Sequence, residues 1–285
     1  MRRVVMLLTC LAGWAVVAAQ APDAPQSGGD PAQVFEVASI KPRVGERALS
    51  GRTPPDRFHS PDTTLRDLIR FAYFLPDFKV AGGPDWMASD RFEVNAKAAA
   101  PPTRTAMRLM VQQLLRERFA LRTHTETREF ATYDLVLARG DRRLGPKMRP
   151  AAFDCEPVYA ADRPLREAGV DETTVQRCAT RIGLGAGVIT QSSTGMSLSR
   201  LVTLLENRLG RAVVDKTGLA GSFDIELTFS DEGLDGPSSL LAGATRKEGP
   251  AIFTALQEQL GLRLVSSRGP VEILVIDRAE RPTLD

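Results

Sequence analysis

The stretch ITQSSTGMSLSRLVTLLENRLGRAVVDKTGLAGSFDIELTFS, residues 189–230, decides the predicted fold because it can be laid on an earlier stretch of the chain. That earlier stretch is RFHSPDTTLRDLIRFAYFLPDFKVAGGPDWMASDRFEVNAKA, residues 57–98. The matched positions are Leu65 with Leu198, Leu68 with Leu201, Ile69 with Val202, and Phe92-Glu93-Val94 with Phe223-Asp224-Ile225. Similar order at near-equal spacing predicts an internal duplication.

The elements of each copy follow from apolar periodicity. Residues 65–75 show helical spacing after Thr63 and Thr64, either of which is a suitable N-cap, and a second helix is predicted after Thr103. Alternation in ALRTHTETREF and TYDLVLAR, within residues 120–139, predicts a hairpin. With a strand at residues 34–42, the predicted fold is α+β and consists of two repeated βαββαββ halves.

The predicted organisation has five parts. Residues 1–19 form a signal peptide, residues 20–32 a flexible leader, residues 33–139 the first half, residues 140–188 a disulfide-bearing linker and residues 189–282 the second half. A polar, glycine-containing segment at 231–249 is predicted to be a mobile surface loop.

The N-terminus predicts export. Arg2 and Arg3 precede an apolar run that ends in small residues, which is typical of a secretory signal peptide. The alternative is an uncleaved anchor, although the run is shorter than the roughly 20 residues of a spanning helix. The whole chain has 37 basic and 35 acidic residues, and cleavage after Ala19 leaves 35 of each. This neutral balance gives no reason to expect nucleic acid or a membrane surface as a partner.

Cys155 and Cys178 are the cysteines that remain after signal cleavage. In an oxidising compartment they predict a disulfide, and closing this loop would stabilise the protein by about 3 kcal/mol. The alternative is a pair of buried free thiols.

Two short motifs suggest chemistry but lack the companions that it needs. Lys216-Thr217-Gly218 matches one signature of the penicillin-recognising enzymes, but the chain has no Ser-x-x-Lys and no Ser-x-Asn, so a glycine turn is predicted, with Gly221 as its second glycine. GLGAGV, residues 183–188, lacks the spacing of a phosphate-binding loop and is also predicted to be a loop or turn.

His124, Glu126 and Arg128 would share one face of a strand, and a solvated polar face is preferred to a metal or acid–base site. Trp86, beside a Gly-Gly-Pro turn, is expected to close one end of the core, with ligand contact as the alternative. No catalytic residue, metal ligand or cofactor site is predicted.

Several ordered segments resemble one family: FEVASIKP, LRDLIRFAY, VAGGPDWMASDRFEVNAKA, LLRERFALRTHTETREFATYDLVLAR, VVDKTGLAGSFDIELTF and LGLRLVSSRGPVEILVIDRAERP. Together they resemble the soil-associated protein family of Acidobacteria, a domain of unknown function numbered 3738, over about residues 33–282. The resemblance implies export, and the family's two mid-chain cysteines match Cys155 and Cys178. Each half is also similar to the short N-terminal domain of secretins and TonB-dependent receptors, which are protein-interaction modules.

The expected function is therefore an exported, non-catalytic binding or interaction module in the periplasm or outside the cell. Its partner, a protein or a small molecule, is unknown. The alternatives are a secreted hydrolase of envelope or environmental polymers and an effector-sensing domain.

Overall fold

The computed structural model describes residues 34–43, 53–156, 158, 171–185, 188–230 and 249–282. The strands of these ranges are β1 Val37–Pro42, β2 Arg57–Thr64, β3 Val80–Gly82, β4 Arg91–Lys97, β5 Arg122–Leu137, β6 Met148–Pro150, β7 Arg181–Gly185, β8 Val188–Ser197, β9 Val213–Asp215, β10 Ser222–Ser230 and β11 Leu262–Arg278. The helices are α1 Leu65–Tyr73, α2 Trp86–Ser89, α3 Arg104–Arg118, α4 Glu172–Cys178, α5 Leu198–Leu209 and α6 Ile252–Ala255, and a π-helical turn, Leu256–Leu260, follows α6. The protein is thus a mixed α/β structure.

Two antiparallel sheets have related strand orders. The first sheet is β1-β4-β2, and the second sheet is β6-β10-β8-β7. In each central strand alternate apolar residues are buried, as in Phe92 and Val94 of β4 and Phe223 and Ile225 of β10. One face of each sheet therefore packs against helices.

Both sheets carry a bulge just before a helix. Residues 61–62 of β2 lie opposite Glu93 alone, and residues 194–195 of β8 lie opposite Asp224 alone. An extra residue of this kind bends the strand. The bend in each case leads into the first turn of the next helix.

Side-chain caps begin those helices. The Thr64 hydroxyl accepts a hydrogen bond from the backbone N–H of Asp67 at the start of α1. The Ser197 hydroxyl accepts one from Arg200 at the start of α5. Thr103 caps α3 in the same way, which confirms its predicted role. Each cap satisfies a backbone donor that has no partner within the helix.

The third, shared sheet has the order β3-β11-β5-β9 and joins the two ends of the molecule. Its centre is the long antiparallel pair β5–β11, which runs from Leu262 opposite Leu137 to Ile276 opposite Thr123. Each short outer strand pairs with a long strand from the other end of the chain, and we call this an exchange of strands. The early strand β3 runs parallel to the late strand β11, and the late strand β9 runs parallel to the early strand β5.

Because β11 is long, it contributes to two hydrophobic cores, whereas β5 contributes to the second of them. The first core contains Ile40, Leu65, Leu68, Ile69, Val80, Met87, Phe92, Val94, Val111, Leu115 and Phe119, together with Leu274 and Ile276 of β11. The second core contains Ile189, Leu198, Leu201, Leu205, Val213, Phe223, Leu227, Phe229, Leu256 and Leu260, together with Leu135 of β5 and Leu262 of β11. The end of β11 thus completes the core that surrounds α1 and α3.

Two sequence predictions were wrong, and one strand was not predicted. The hairpin predicted within residues 120–139 is the single strand β5. Residues 57–64, which were not predicted as a strand, form β2, because the chain forms a bulge at Pro61 instead of ending there. The predicted loop at 183–188 lies partly in β7 and β8, since pairing with β8 holds Gly183–Gly185 extended. The segment 231–248, part of the predicted mobile loop, lies outside the described residues.

Candidate functional site

The outer strand of the second sheet, β7, is the most exposed strand in the described ranges, with all five residues open to solvent. One edge pairs with β8, from Arg181 opposite Ser192 to Gly185 opposite Val188, and among the described residues no strand pairs with its other edge. Ile182 and Leu184 are opposite Gln191 and Ile189, so both lie on the face of the sheet that packs against α5. Both remain about half exposed because α5 does not cover β7.

The other outer strands are protected against pairing with another chain. In β1 the strand ends with Lys41 and Pro42, and in β2 the bulge contains Pro61. In β6 the last residue is Pro150, and β3 and β9 are three residues long. Charges, prolines, bulges and short length are the usual means of blocking an edge. Compared with these edges, β7 has a single charge, Arg181 at its end, and no proline.

Beside β7 lies a cleft of about 730 Å³. The second sheet contributes Ile182, Gln191 and Met196 to the lining. One side is formed by α5, with Arg200, Leu204 and Arg208 among its lining residues. Arg70 and Phe74, in and just after α1, reach the same cleft from the other end of the molecule. This volume falls in the range of small-molecule binding sites.

The disulfide holds the segment that leads into β7. Cys155 and Cys178 are bonded and buried, which confirms the predicted pairing, and Cys178 is the last residue of α4, three positions before β7. Cys155 also donates its backbone N–H to the carbonyl of Gly195 in the β8 bulge. A Cβ at Gly195 would lie 2.4 Å from the Phe153 carbonyl oxygen, so glycine allows this close contact.

The Lys216-Thr217-Gly218 motif is a turn between β9 and β10, as predicted. Gly218 and Gly221 have φ values of 64° and 90°, which suit glycine. Lys216 forms an ion pair with Asp134 at 2.8 Å, and the Thr217 hydroxyl accepts a hydrogen bond from the backbone N–H of Leu219. The lysine and threonine therefore serve local structure.

The predicted polar group on β5 does come together. The two His124 ring nitrogens lie 2.8 Å from Glu126 and 2.8 Å from Asp277, and Arg128 donates to Glu126 at 2.6 Å. The hydrogen bond to Glu126, followed by that to Asp277, raises the pKa of His124. Arg128 and then His124 lower the pKa of Glu126. All four side chains are solvent-exposed, so this is a surface network.

Trp86 begins α2 and packs against the first core, partly exposed. The Arg281 guanidinium lies 5.2 Å from the centre of its ring, and Arg281 also pairs with Asp90 at 2.8 Å. The indole thus lies between the core and a cation, and ligand contact by Trp86 stays a prediction.

Neither a cluster of metal ligands nor a membrane-spanning helix is present among the described residues. No cluster of three or more histidine, cysteine, aspartate or glutamate side chains there is arranged to hold a metal ion. Within the same ranges, no helix has the length and hydrophobicity to cross a bilayer.

The fold and this site define a disulfide-bonded mixed α/β protein with an open sheet edge beside a ligand-sized cleft. The chain belongs to the family described as "Protein of unknown function (DUF3738)", whose sequence model matches residues 66–279. No curated protein matched the chain. No solved structure matched it either.

The sequence reasoning missed both β7 and the cleft. Ile182 and Leu184 alternate with glycines in RIGLG, and this period-two pattern is the signal that could have indicated a strand. The cleft brings together residues more than 100 positions apart, such as Arg70 and Arg208, and no local pattern indicates such a meeting.

Proposed function

We propose that the protein is an exported, non-catalytic binding module that accepts an extended segment of a partner protein along the free edge of β7. The observation that carries the proposal is the exposure of all five β7 residues at an edge that, unlike β1, β2 and β6, contains no proline. Strand addition uses main-chain hydrogen bonds for affinity and alternate side chains for specificity. Ile182 and Leu184 would supply the apolar contacts.

The experiment is capture of partners from the exported proteins of the source organism, using the immobilised chain of residues 20–285 with its disulfide intact. Lysine at Ile182 and Leu184 places charge on the edge, as natural edge strands do. We expect Ile182→Lys/Leu184→Lys to reduce capture of any specific partner at least tenfold. Val37→Lys, on the exposed outer strand β1, is the matched control and should retain it.

Concentration-dependent sedimentation of the purified chain tests whether a second copy is the partner. A partner that binds the double variant and the wild type equally would overturn the proposal. Consistent failure to find a partner, including self-association, would overturn it as well.

We also propose that the chain arose by duplication, with each half related to the short N-terminal domains of secretins and TonB-dependent receptors. The paired bulges opposite Glu93 and Asp224 and the matching helix caps support the duplication. The disulfide supports export through the predicted signal peptide to the periplasm or the medium. A soil bacterium as the source stays a prediction.

Effector sensing is the second candidate function. It is favoured by the cleft, which residues of both α1 and α5 line, so that a bound ligand would contact both ends of the molecule.

A further inference from the structure

We propose that the cleft between α5, the second sheet and the end of α1 binds a small organic anion: an apolar body with a carboxylate or phosphate head. This site differs from the proposed strand-addition site, because a ligand of this kind needs no free backbone edge. The two proposals share one residue, Ile182, whose side chain faces the cleft while its backbone belongs to β7.

The apolar part of the lining is unusually open. Phe74 is 65% exposed and Ile182 is 52% exposed, and Met196 and Leu204 continue the apolar surface between them. Large apolar side chains exposed together around a concavity are typical of a binding site. An alkyl or aromatic group in the cleft would remove this surface from water.

The charged part of the lining includes cations on two sides of the cleft. Arg70 lies on the side of α1, with Asp67 and Asp77 near it. Arg208 lies on α5, 5.7 Å from the Phe229 ring, while Glu156 is the carboxylate among the described lining residues. Glu156 already accepts a hydrogen bond of 2.8 Å from the Ser197 hydroxyl. The planar arginine fork matches carboxylate and phosphate oxygens, so Arg70 and Arg208 favour an anionic head.

Arg70 is the more informative of these two arginines. Its contacts to Asp67 and Asp77 are long, at 3.5 and 3.9 Å, and Asp77 is held more closely by Arg66, at 2.6 Å. The Nε atom of Arg70 is buried and makes no hydrogen bond within the part of the chain that the structure describes. A buried donor without an acceptor is costly, so the existing contacts of Arg70 are incomplete. Its side chain is 31% exposed, so an anion in the cleft can reach the guanidinium from the open side.

The side of the cleft formed by α5 presents charged and apolar side chains in alternation. Arg200, Leu204 and Arg208 are spaced at i, i+4 and i+8, so they lie on one face of the helix. Eight residues of helix span about 12 Å, which places an apolar side chain between two cations. A ligand whose charged head lies beside Arg208 would place its apolar body against Leu204.

The test is isothermal titration calorimetry of the disulfide-bonded protein, residues 20–285. Four probes with one alkyl chain each are used below their critical micelle concentrations. Decanoate and decyl phosphate carry the two anionic heads, decanol is neutral and decyltrimethylammonium is cationic. We expect at least one anion to bind at a single site and decanol to bind at least tenfold more weakly. No saturable binding of the cation is expected. The preferred anion identifies the head group.

Two variants locate the site. Arg70→Gln should weaken binding of the preferred anion at least tenfold, whereas Arg139→Gln, an exposed arginine paired with Asp141 outside the cleft, should not change it. Circular dichroism establishes that both variants are folded, and Arg208→Gln replaces Arg70→Gln if that variant fails to fold. Absence of saturable anion binding, equal binding of decanol, or unchanged affinity in the folded cleft variant would overturn the proposal.

One further variant separates this proposal from strand addition. Leu184 lies on β7 but is not part of the cleft lining. Leu184→Lys should therefore disturb partner capture and leave anion binding unchanged. Loss of anion binding in this variant would contradict the separation of the two sites.

Discussion

The first and second sheets share a plan and differ at one edge. Both have a central strand, β4 or β10, between a short outer strand and a bulged strand that leads into a capped helix. Within the described residues, the first sheet ends at its bulged strand β2, whereas the second sheet continues to β7. The segment before β7 contains α4 and the disulfide. A covalent bond thus anchors the outer strand by which the second sheet differs from the first.

The two regions also have one strand in common, because both cores contain residues of β11. The largest effect should therefore come from Leu205, which is fully buried in the second core. Leu205→Ala should lower the free energy of unfolding by about 2–5 kcal/mol through the cavity it leaves. Because β11 belongs to both cores, we expect the first core to unfold in the same transition.

Trp86 provides the measurement, since it packs against the first core and is the one tryptophan of residues 20–285. Its fluorescence midpoint in urea should move together with the circular dichroism midpoint in Leu205→Ala. Thr203→Ala, on the exposed side of the same helix, is the control and should change stability by no more than about 0.5 kcal/mol. A Trp86 midpoint that stays at the wild-type value would mean that the two regions unfold independently.

Removal of the disulfide tests whether the bond anchors β7, the strand by which the two sheets differ. Cys155→Ser/Cys178→Ser should cost about 3 kcal/mol on the loop-entropy account. Because the bond anchors α4 and the start of β7, hydrogen exchange should accelerate more at β7 than at β4 of the first sheet. Equal acceleration in both strands would show that the bond stabilises the whole molecule and does not specifically anchor the edge.

The smallest expected effect is the pH dependence of stability that comes from His124, on the surface of the shared sheet. The pKa of His124 is raised from 6.5 in the folded protein, first by Glu126 and then by Asp277. Its contribution to stability is therefore complete below the unfolded-state pKa of 6.5 and is lost as the pH rises through the folded-state value. Urea midpoints measured across this titration should show that dependence in the wild type and less of it in His124→Gln.

High salt provides the control for His124, because screening weakens interactions between exposed charges. The pH dependence attributed to the histidine should shrink in the wild type at high salt and change little in His124→Gln. The opposite sign, with stability gained as the pH rises through the titration, would contradict the network described for β5 and β11.

Sequence patterns predicted those parts of the fold that depend on neighbouring residues. A hydroxyl before a helical apolar pattern identified Thr103 as a cap and narrowed the other cap to Thr63 or Thr64, of which Thr64 serves. Cys155 and Cys178 were identifiable because they are the two cysteines that remain after the predicted signal cleavage. These inferences succeeded because capping and pairing require few partners.

The parts that sequence did not predict depend on distant partners. Polar residues 122–129 alternate in a way that suits a hairpin as well as a long strand, and pairing with β11 decides between them. Gly183 and Gly185 are typical of a loop in sequence, and pairing with β8 makes them part of a strand. The cleft required the positions of α1, α5 and β7 together, so its arginines carried no recognisable pattern.

The exchange of strands in the shared sheet has a consequence for the order of folding during synthesis. Leu274 and Ile276 belong to the first core, although the rest of that core lies within residues 40–121. The first core is therefore completed only after the chain has been extended through residue 276. Contacts between such distant segments slow folding, because a long loop must close before they form. Until then, the part of the core surface that Leu274 and Ile276 cover stays available to chaperones and to other chains.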